Sequence, residues 1–502
     1  MAGGRGTPAA GGSGAMGMRK GVRFILDGRV RELDDVDPTL TVLDWLRGPE
    51  RRCGTKEGCR EGDCGACTVV LAELHRGELR YRAVNACILF VPALDGKALL
   101  TVESLCPPGG ALHPVQKAMV ECHASQCGFC TPGFVMSLVA LYESEPVPSR
   151  ARVNEVLAGN LCRCTGYKPI AAAAVEAYRD GGGRGLAAQQ AALAAQLKAI
   201  ARDGALELEH GGRRYYAPRT VEELARILSE RPGARLIAGG TDVGLWVTKQ
   251  HRELGDLVSV LAVEELAGVA RTRTHVEVGA AATYADALLA LAEPFPALGE
   301  LVRRIGSAQI RNAGTLVGNV ANASPIGDTL PALVALGASA VLRRGPGVRE
   351  VPLDAFFLGY RKTALEPGEF IERVRIPLPE PGTLFSTYKV SKRFDQDISA
   401  VCGAFAVRLA GGRVREARLC YGGMAAVPRR AVATEAELAG KPWTEESVAS
   451  VLPILDGEFA PISDMRASAA YRRLVARNLL RKFQLDTAAS PRTRGGAAAG
   501  AR

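Results

Sequence analysis

Aromatic residues and long apolar segments are scarce in this sequence. Phe, Trp and Tyr together make up 5% of the 502 residues. The longest apolar stretches, such as residues 330–342, are shorter than the roughly 20 residues that a membrane-spanning helix needs. The N-terminal residues also lack the apolar core of a secretory signal. We therefore expect a cytoplasmic protein that does not associate with a membrane.

Acidic residues are missing from both ends of the chain, and this explains most of its positive charge. The formal net charge is +10, but residues 1–23 and 487–502 contain seven basic residues and no acidic one. A basic surface can indicate a nucleic-acid partner. Because the charge belongs to the terminal segments, we expect no nucleic-acid partner. The Gly- and Ala-rich composition predicts that residues 1–19 and 487–502 are disordered.

The cysteine content does not suit a disulfide-stabilised protein. Thirteen cysteines leave one unpaired, and without a secretory signal we expect reduced thiols. Eleven of the thirteen lie between Cys53 and Cys164, and this clustering indicates metal binding. With 47% hydrophobic residues, a chain of 502 residues can also bury the cores of several domains.

Changes in hydrophobic pattern divide the chain into units. Asp27-Gly28 between two alternating runs predicts a β-hairpin, and a short helix is expected at residues 41–47. Helical spacing at residues 114–123, 131–142 and 169–178 predicts a small helical domain. A glycine-rich segment and an Ala/Gln-rich helix then indicate a linker, followed by mixed helices and strands. The predicted ranges are 20–101, 102–181, 182–212 (linker), 213–380 and 381–486.

The first group of cysteines has the spacing Cys-x4-Cys-x2-Cys with a distant fourth member. This spacing is typical of plant-type [2Fe–2S] ferredoxins. Glycines within the loop favour the same interpretation, because they let backbone N–H groups approach the cluster sulfurs. Structural zinc sites usually combine two Cys-x2–4-Cys pairs, so zinc fits less well. The candidate ligands are Cys59, Cys64, Cys67 and Cys87.

The second group combines Cys-x2-Cys with a Cys-x-Cys pair about thirty residues later. The candidate ligands are Cys127, Cys130, Cys162 and Cys164. Each pair lies at a predicted helix end, where unpaired N–H groups stabilise anionic sulfur. Cys-Gly-Phe-Cys alone would also suit a thioredoxin-like redox pair, but the expected βαβ context is missing. Two one-electron clusters on one chain predict an electron relay whose donor or acceptor lies in the remaining half.

Five cysteines show no ligand spacing, and we interpret them as ordinary core or surface residues. They are Cys53, Cys106, Cys122, Cys402 and Cys420.

Two segments of the second half are candidates for nucleotide binding. Leu236-Ile-Ala-Gly-Gly-Thr-Asp-Val243 is a glycine turn after a predicted strand, and it is neither a Rossmann fingerprint nor a P-loop. Adjacent glycines and a threonine suit a pyrophosphate, although an ordinary turn has the same composition. Residues 309–328 alternate small residues with Asn and Thr. This pattern fits a polar cradle or a solvated loop equally well.

The motifs in this order resemble the xanthine dehydrogenase family, in particular the iron–sulfur and flavin subunit of its bacterial two-subunit form. The matching motifs are the two cysteine groups, in Cys-Gly-Phe-Cys-Thr-Pro-Gly and Asn-Leu-Cys-Arg-Cys-Thr-Gly-Tyr for the second, and the Gly-Gly-Thr-Asp turn. The resemblance covers about residues 20–485. It implies a multidomain α+β fold: a ferredoxin-like β-grasp domain, a helical second [2Fe–2S] domain, an FAD-binding domain of the vanillyl-alcohol-oxidase type and a C-terminal α/β cap.

The resemblance also implies contacts to FAD. The pyrophosphate turn would be formed by Leu236, Ile237, Ala238, Gly239, Gly240, Thr241, Asp242 and Val243. Further FAD contacts would come from Thr315, Asn319, Asp328, Ile371 and Lys389. Ile305 stands where some relatives place an aromatic residue beside the flavin ring. Tyr360 and residues 394–397 resemble the nicotinamide-nucleotide side of the flavin pocket.

In function, the resemblance implies the electron-transfer subunit of a xanthine dehydrogenase. A large molybdopterin-binding subunit would oxidise hypoxanthine and xanthine to urate, because the 502 residues leave no room for that domain. Two small and two large chains would form a heterotetramer, and NAD would accept the electrons from FAD. An aldehyde or N-heteroaromatic hydroxylase is the alternative, and a free-standing ferredoxin-like carrier is the third possibility. No catalytic residue is expected in this chain.

Overall fold

A computed structural model of the chain describes residues 18–106, 109–179, 185–201 and 204–488. The two terminal segments for which disorder is predicted lie almost entirely outside these ranges. No helix in the described part of the chain has the length and apolar character needed to cross a membrane.

The first unit is a mixed five-stranded sheet of the β-grasp type. Its strand order is β2-β1-β5-β3-β4, with β1 and β5 parallel and the other neighbours antiparallel. The hairpin at Asp27-Gly28 is confirmed, and both residues have positive φ, 51° and 69°. The elements are β1 (Val22–Leu26), β2 (Arg29–Leu33), α1 (Val42–Arg47), β3 (Thr68–His75), β4 (Glu78–Asn85) and β5 (Ala98–Leu100).

The second unit is helical, as the sequence predicts. Its central helix α3 begins directly after Cys130, has Pro132 in its first turn and buries residues 133–142. The unit comprises α2 (Pro114–Glu121), α3 (Thr131–Ser144), α4 (Arg150–Leu157) and α5 (Lys168–Glu176). The Ala/Gln-rich helix α6 (Ala187–Ala199) follows, and its buried Leu197 joins the same hydrophobic core.

The third unit contains two larger sheets and a small β14–β15 hairpin. One sheet has the order β6-β7-β9-β8 and the other β10-β11-β16-β12-β13. Residues 206–210 fall in the predicted linker, yet they form β6, because alternate leucines pack into the core beside β7. The elements are β6 (Leu206–His210), β7 (Arg213–Ala217), α7 (Val221–Glu230), β8 (Arg235–Ile237), α8 (Val243–Thr248), β9 (Leu257–Ser259), β10 (Val269–Arg271), β11 (His275–Gly279), α9 (Tyr284–Leu291), α10 (Pro296–Arg303), α11 (Ala308–Ala313), α12 (Leu316–Asn322), α13 (Thr329–Ala335), β12 (Ser339–Arg344), β13 (Gly347–Pro352), α14 (Leu353–Phe356), β14 (Phe357–Gly359), β15 (Lys362–Thr363) and β16 (Phe370–Pro377).

The C-terminal unit is an antiparallel sheet covered by helices. The strands follow the order β17-β18-β19-β20, and α15, α16 and α17 pack against a core that includes Phe405, Tyr421 and Phe483. The elements are β17 (Thr383–Val390), β18 (Val401–Ala410), β19 (Arg413–Gly422), β20 (Arg429–Arg430), α15 (Val432–Leu438), α16 (Glu445–Glu458) and α17 (Ala469–Ala488).

Candidate cofactor sites

The structure brings the first group of cysteines together in one loop and the segment after β4. The Cys59 sulfur accepts hydrogen bonds from the backbone N–H groups of Glu61, Asp63 and Cys64, at 3.3–3.4 Å. The Cys64 and Cys87 thiols, together with the N–H groups of Cys64 and Glu61, lower the pKa of the Cys59 thiol. Donors directed at sulfur stabilise thiolate, which is the form that binds iron.

Glycines in this loop leave room for the thiols. Gly62 and Gly65 have φ values of 77° and 69°, which residues with a side chain rarely adopt. A Cβ on Gly58 would lie 2.7 Å from the Cys64 sulfur. The loop and Cys87 after β4 therefore provide four thiols, together with inward-facing N–H groups, and this donor set fits a [2Fe–2S] cluster.

The second group of cysteines is also brought together, between the start of α3 and the segment before α5. Burial raises the pKa of Cys130 to about 12, and the adjacent Cys162 adds to the effect. Burial opposes ionisation of Cys162 too, but hydrogen bonds from Thr165 outweigh it and lower that pKa. Within the described residues, no three or more His, Cys, Asp or Glu side chains surround a site for a single metal ion. The thiols of the second group instead contact one another in pairs, Cys130 with Cys162 and Cys127 with Cys164.

A cavity of about 500 Å³ lies beside the glycine turn that follows β8. Its volume falls in the range of small-molecule and cofactor sites. Eleven of the thirteen residues for which the family resemblance implies a contact to FAD line it: Leu236, Ile237, Ala238, Gly239, Gly240, Thr241, Asp242, Val243, Thr315, Asn319 and Ile371. The structure thus unites the turn with the second candidate segment.

Two polar atoms at this cavity lack partners. Asp242 Oδ2 and Trp246 Nε1 are buried without a hydrogen-bond partner among the described residues. A buried unsatisfied polar atom costs about 1–3 kcal/mol, so both atoms fit a site that a polar ligand completes. The backbone of the glycine turn is also closely packed, since a Cβ on Gly239 would lie 1.7 Å from the Ala313 carbonyl oxygen. The shape and the free polar atoms fit FAD.

Asp328 and Lys389 are not among the residues that line this cavity. They form a buried ion pair, with Lys389 Nζ 2.7 Å from Asp328 Oδ2. Ser399 donates to the other oxygen of Asp328, and Lys389 also donates to the Arg304 carbonyl. The pair therefore joins β17 of the C-terminal unit to the third unit.

The residues that the sequence places near the flavin ring and the nicotinamide nucleotide lie at the surface or in the core. Ile305 packs against the core of the third unit. Tyr360 is 66% exposed. Phe394 is 70% exposed, and the Arg304 guanidinium lies 4.3 Å from the centre of its ring.

Sequence reasoning missed several residues of the cavity wall. Trp246 lines the cavity, and the guanidinium groups of Arg235 and Arg252 lie 4.9 and 5.5 Å from its ring centre. Tyr284 and Arg361 also contribute. Trp246 lies on α8, directly after the glycine turn. The chain has only three tryptophans, so this position could have indicated from sequence that Trp246 belongs to the cavity wall.

The sequence of residues 309–328 fits either a polar cradle or a solvated loop. In the structure this segment contains most of the short helix α11 and all of α12. Thr315 caps α12 by accepting from the Gly318 N–H at 2.9 Å. Small residues at this position are explained by close packing, because a Cβ on Gly314 would lie 3.0 Å from the Thr241 hydroxyl. The segment is therefore a packed helical support for the glycine turn and not an open loop.

The cavity and the first cysteine group are neighbours. A Cβ on Gly244 in α8 would lie 2.7 Å from the carbonyl oxygen of Ile88, the residue after Cys87. At the end of α8, the Thr248 hydroxyl donates to the Arg60 carbonyl at 2.8 Å. The helix that follows the glycine turn thus contacts both parts of the thiol-bearing segment.

Four family models match successive parts of the chain. Residues 24–92 match the 2Fe-2S iron-sulfur cluster binding domain, and residues 101–175 match the [2Fe-2S] binding domain. Residues 207–379 match the FAD binding domain in molybdopterin dehydrogenase, and residues 386–487 match the CO dehydrogenase flavoprotein C-terminal domain.

Curated relatives and solved structures agree with these matches. Xanthine dehydrogenase of Emericella nidulans is 34% identical over 93% of this chain and 38% of its own length. Xanthine dehydrogenase/oxidase of Gallus gallus is 32% identical over 92% of this chain and 40% of its own length. The chain therefore spans about two fifths of the length of these relatives.

Two solved structures resemble just over half of the chain. A Cu,Mo-CO dehydrogenase structure covers 53% of this chain and 94% of its own, with a TM-score of 0.50 and 28% identity. Quinoline 2-oxidoreductase from Pseudomonas putida 86 covers 55% and 96%, with a TM-score of 0.51 and 27% identity.

Together these findings define an iron–sulfur flavoprotein with two [2Fe–2S]-binding domains and one FAD-binding domain. The predicted fold class and resident cofactors are confirmed. The chain is homologous to about two fifths of the length of xanthine dehydrogenases and resembles a CO dehydrogenase structure, and it carries the iron–sulfur and FAD domains that the family models describe.

Proposed function

We propose that this chain transfers electrons in a xanthine dehydrogenase, from a large molybdopterin-binding subunit to FAD and on to NAD. The observation that carries the proposal is the continuity of the three candidate sites. The backbone N–H of Leu161, next to Cys162, donates to the carbonyl of Cys64 at 3.0 Å. The first group in turn contacts α8, beside the flavin cavity.

In this proposal, Cys127, Cys130, Cys162 and Cys164 hold the cluster that receives electrons, and Cys59, Cys64, Cys67 and Cys87 hold the one that passes them to the flavin. When bound, the clusters supply one-electron chemistry and the flavin converts it to two-electron chemistry. The protein's own contribution is to hold thiolates, exclude water from the first group and keep the three sites adjacent.

The second group also fits the place where a large subunit docks. Cys127 and Cys164 are exposed, and so are the nearby apolar side chains of Phe129 and Leu161, at 49% and 42%. Exposed apolar side chains around a functional group are typical of a protein interface. We propose a cytoplasmic heterotetramer of two small and two large chains, with no nucleic-acid or membrane partner.

Substrate identity depends on the large subunit, so two candidates remain distinct. The matched xanthine dehydrogenases favour xanthine and hypoxanthine, with urate as the product. Quinoline 2-oxidoreductase among the similar structures favours an N-heteroaromatic substrate, and an aldehyde is the related alternative.

The test is purification of the native complex, followed by analysis of iron, FAD and molybdenum per chain. We expect two clusters, one FAD and molybdenum at a fixed ratio, and anaerobic xanthine should bleach the flavin absorption. In a complex with Cys164→Ser, xanthine should no longer reduce the flavin although NADH still does. A chain that lacks iron and flavin after anaerobic purification would contradict the relay. Reduction by quinoline or an aldehyde but not xanthine would favour the second candidate.

The flavin assignment has its own test in the glycine turn. Gly239→Ala places a methyl group against the Ala313 carbonyl, so we expect loss of FAD with iron retained. Gly233→Ala is the matched control, because a Cβ there would meet no atom within 4 Å. FAD content is measured from the absorption of the flavin released on denaturation. Full FAD content in Gly239→Ala would refute this placement of the pyrophosphate turn.

A further inference from the structure

The side chain of Gln309 lies at a buried junction of three units. It belongs to α11 of the third unit and is 1% exposed. Its amide nitrogen lies 3.0 Å from Asn160 Oδ1, 3.1 Å from the Ser137 hydroxyl and 3.3 Å from the Thr68 hydroxyl. The Gly159 carbonyl is a fourth acceptor at 3.5 Å. An amide has two N–H donors, so these four acceptors share them. One side chain thus connects the third unit, which contains the flavin cavity and is called the flavin unit from here on, to the first and second units, which carry the two groups of cysteines.

The partners of Gln309 come from the segments that carry the thiols. Thr68 follows Cys67, Asn160 precedes Cys162 by two residues, and Ser137 lies on the helix that begins after Cys130. Asn160 completes the connection, because its amide donates to the Gly65 carbonyl at 3.0 Å and its oxygen accepts from Ser137 at 2.6 Å. Gln309 therefore acts on both thiol groups through hydrogen bonds.

The two thiol-bearing loops are in backbone contact at this junction. A Cβ on Gly65 would lie 2.2 Å from the Gly159 carbonyl oxygen, and a Cβ on Gly159 would lie 2.0 Å from Gln309 Oε1. Only glycines permit this approach, and the Leu161 N–H hydrogen bond to Cys64 follows directly from it. A movement of the 159–161 segment would therefore change the separation of the two groups.

The same helix continues to the flavin cavity. Ile310 approaches Gly62 of the first loop, where a Cβ would lie 3.1 Å from its side chain. After α11 ends, Gly314 and Thr315 line the cavity. The position of Gln309 is thus fixed relative to the flavin turn by a rigid, short stretch of chain.

We propose that Gln309 is a positioning residue that sets the separation between the two clusters and holds both at a fixed place relative to the flavin. The inference rests on the proposed function, since it takes each thiol group to hold a [2Fe–2S] cluster. Gln309 touches no thiol and acts through Asn160, Ser137 and Thr68. Precise placement of reacting groups depends on such supporting hydrogen bonds.

The experiment replaces Gln309 by Met, which keeps the length of the side chain and removes its hydrogen bonds. The first readout is the magnetic interaction between the two clusters in the electron paramagnetic resonance spectrum of the fully reduced protein. The second is the rate of electron transfer between the clusters after rapid mixing with a reductant. We expect a weaker or altered interaction and a severalfold lower rate, because both the magnetic interaction and the rate of electron transfer fall as the clusters move apart.

Asn312→Leu is the matched control on the same helix. The Asn312 amide donates to the Ala83 carbonyl at 2.9 Å, at the same interface but away from the cysteine segments. It should lower stability without changing the magnetic interaction. Ser137→Ala removes one partner of Gln309 and should shift both readouts in the same direction by less. It also decides the result if Gln309→Met does not incorporate its clusters.

Unchanged spectra and rates in a fully loaded Gln309→Met protein would overturn the inference, and so would an equal change in Asn312→Leu. If Gln309→Met loads no clusters, unchanged readouts in Ser137→Ala would overturn it as well. Failure of the proposed function is recognised separately, because the unmodified protein would then lack iron or FAD.

Discussion

The two groups of cysteines differ in their distance from solvent. Cys67 and Cys87 are 2% and 1% exposed, whereas Cys127 and Cys164 are exposed. The first group lies between the β-grasp sheet and α8 of the flavin unit, and the second lies at the surface beside exposed Phe129. The first group of thiols is thus enclosed between two units, and the second group faces the protein surface.

The two regions also differ in how they are attached to the flavin unit. The β-grasp unit is attached by Arg80 and Arg82, which both pair with Asp286 of α9. Among the described residues, the ion pair that joins the helical unit to the flavin unit is that of buried Arg311, whose guanidinium lies 2.7 Å from Glu155. The hydrogen bonds of Gln309 add to this attachment. We expect the loss of a buried charged partner to cost more stability than the loss of an exposed one.

The largest expected difference between the regions follows from removing one thiol in each. Cys87 is buried, so Cys87→Ser would leave the first cluster site unfilled inside the hydrophobic core. We therefore expect a poorly folded chain with little bound iron. Cys164→Ser should keep the fold and lose only the second cluster, which is about half of the iron. Iron analysis and circular dichroism measure both effects. A well-folded Cys87→Ser protein with full iron would show that the distant cysteine is not a ligand.

The accessibility of the second group predicts a stepwise loss of iron. An iron chelator or mild oxidant should remove about half of the iron first, from the exposed group, while the first cluster persists. The electron paramagnetic resonance signal that disappears early should be the one missing from Cys164→Ser. Simultaneous loss of both signals would contradict the difference in exposure, provided that the fold is intact by circular dichroism.

The attachment of the helical unit is tested with Arg311→Met. Arg311 is 4% exposed, and its guanidinium also donates to the carbonyls of Arg303 and Ile305. Removing one member of such a pair costs about 3 kcal/mol of unfolding free energy. Arg152→Met is the control, because Arg152 pairs with the same Glu155 at the surface and should cost less than about 1 kcal/mol. Denaturant unfolding measures both values, and equal losses would contradict the buried role of Arg311.

Much of this arrangement is predictable from local sequence. The Asp27-Gly28 hairpin and the helix after Cys130 both follow from short motifs, and the structure contains both of them. Cysteine spacing likewise identifies the two groups before any fold is known. These features depend on residues that are close in sequence, so no tertiary information is needed.

The remainder depends on contacts between distant residues. Gln309 and Thr68 are 241 positions apart, and no local pattern marks their hydrogen bond. The sequence does not predict the helices α11 and α12, because both are shorter than eight residues and α12 contains Gly318 and two asparagines, which have low helix propensity. Packing against the glycine turn holds both helices. The strand β6 is a different case, because it lies in the predicted linker and yet pairs with β7, which begins three residues after β6 ends. Gly211 and Gly212 between the strands have positive φ, so this hairpin is a local feature that the sequence does indicate.

The smallest expected effect is the acid sensitivity of the attachment of the β-grasp unit. Burial opposes ionisation of Glu73, but Lys97, Arg82 and Arg80 outweigh it and lower its pKa to about 2. Asp286 is half-buried, which opposes its ionisation, but its hydrogen-bonding and charged partners, mainly Arg82, outweigh this and lower its pKa. Because both pKa values are lower in the folded state, their stabilisation is complete above the unfolded values near 4–4.5 and is lost as the pH falls towards 2.

Glu73→Gln isolates this contribution. At pH 7 the variant should be less stable than the unmodified chain by roughly 2 kcal/mol, and the difference should shrink as the pH falls from about 5 to about 2. Glu78→Gln, at an exposed position of β4, is the control and should show no such trend. Urea unfolding across this pH range gives the comparison. A constant difference at all pH values would show that Glu73 acts through packing and not through its charge, and the two attachments would then differ less than their ion pairs indicate.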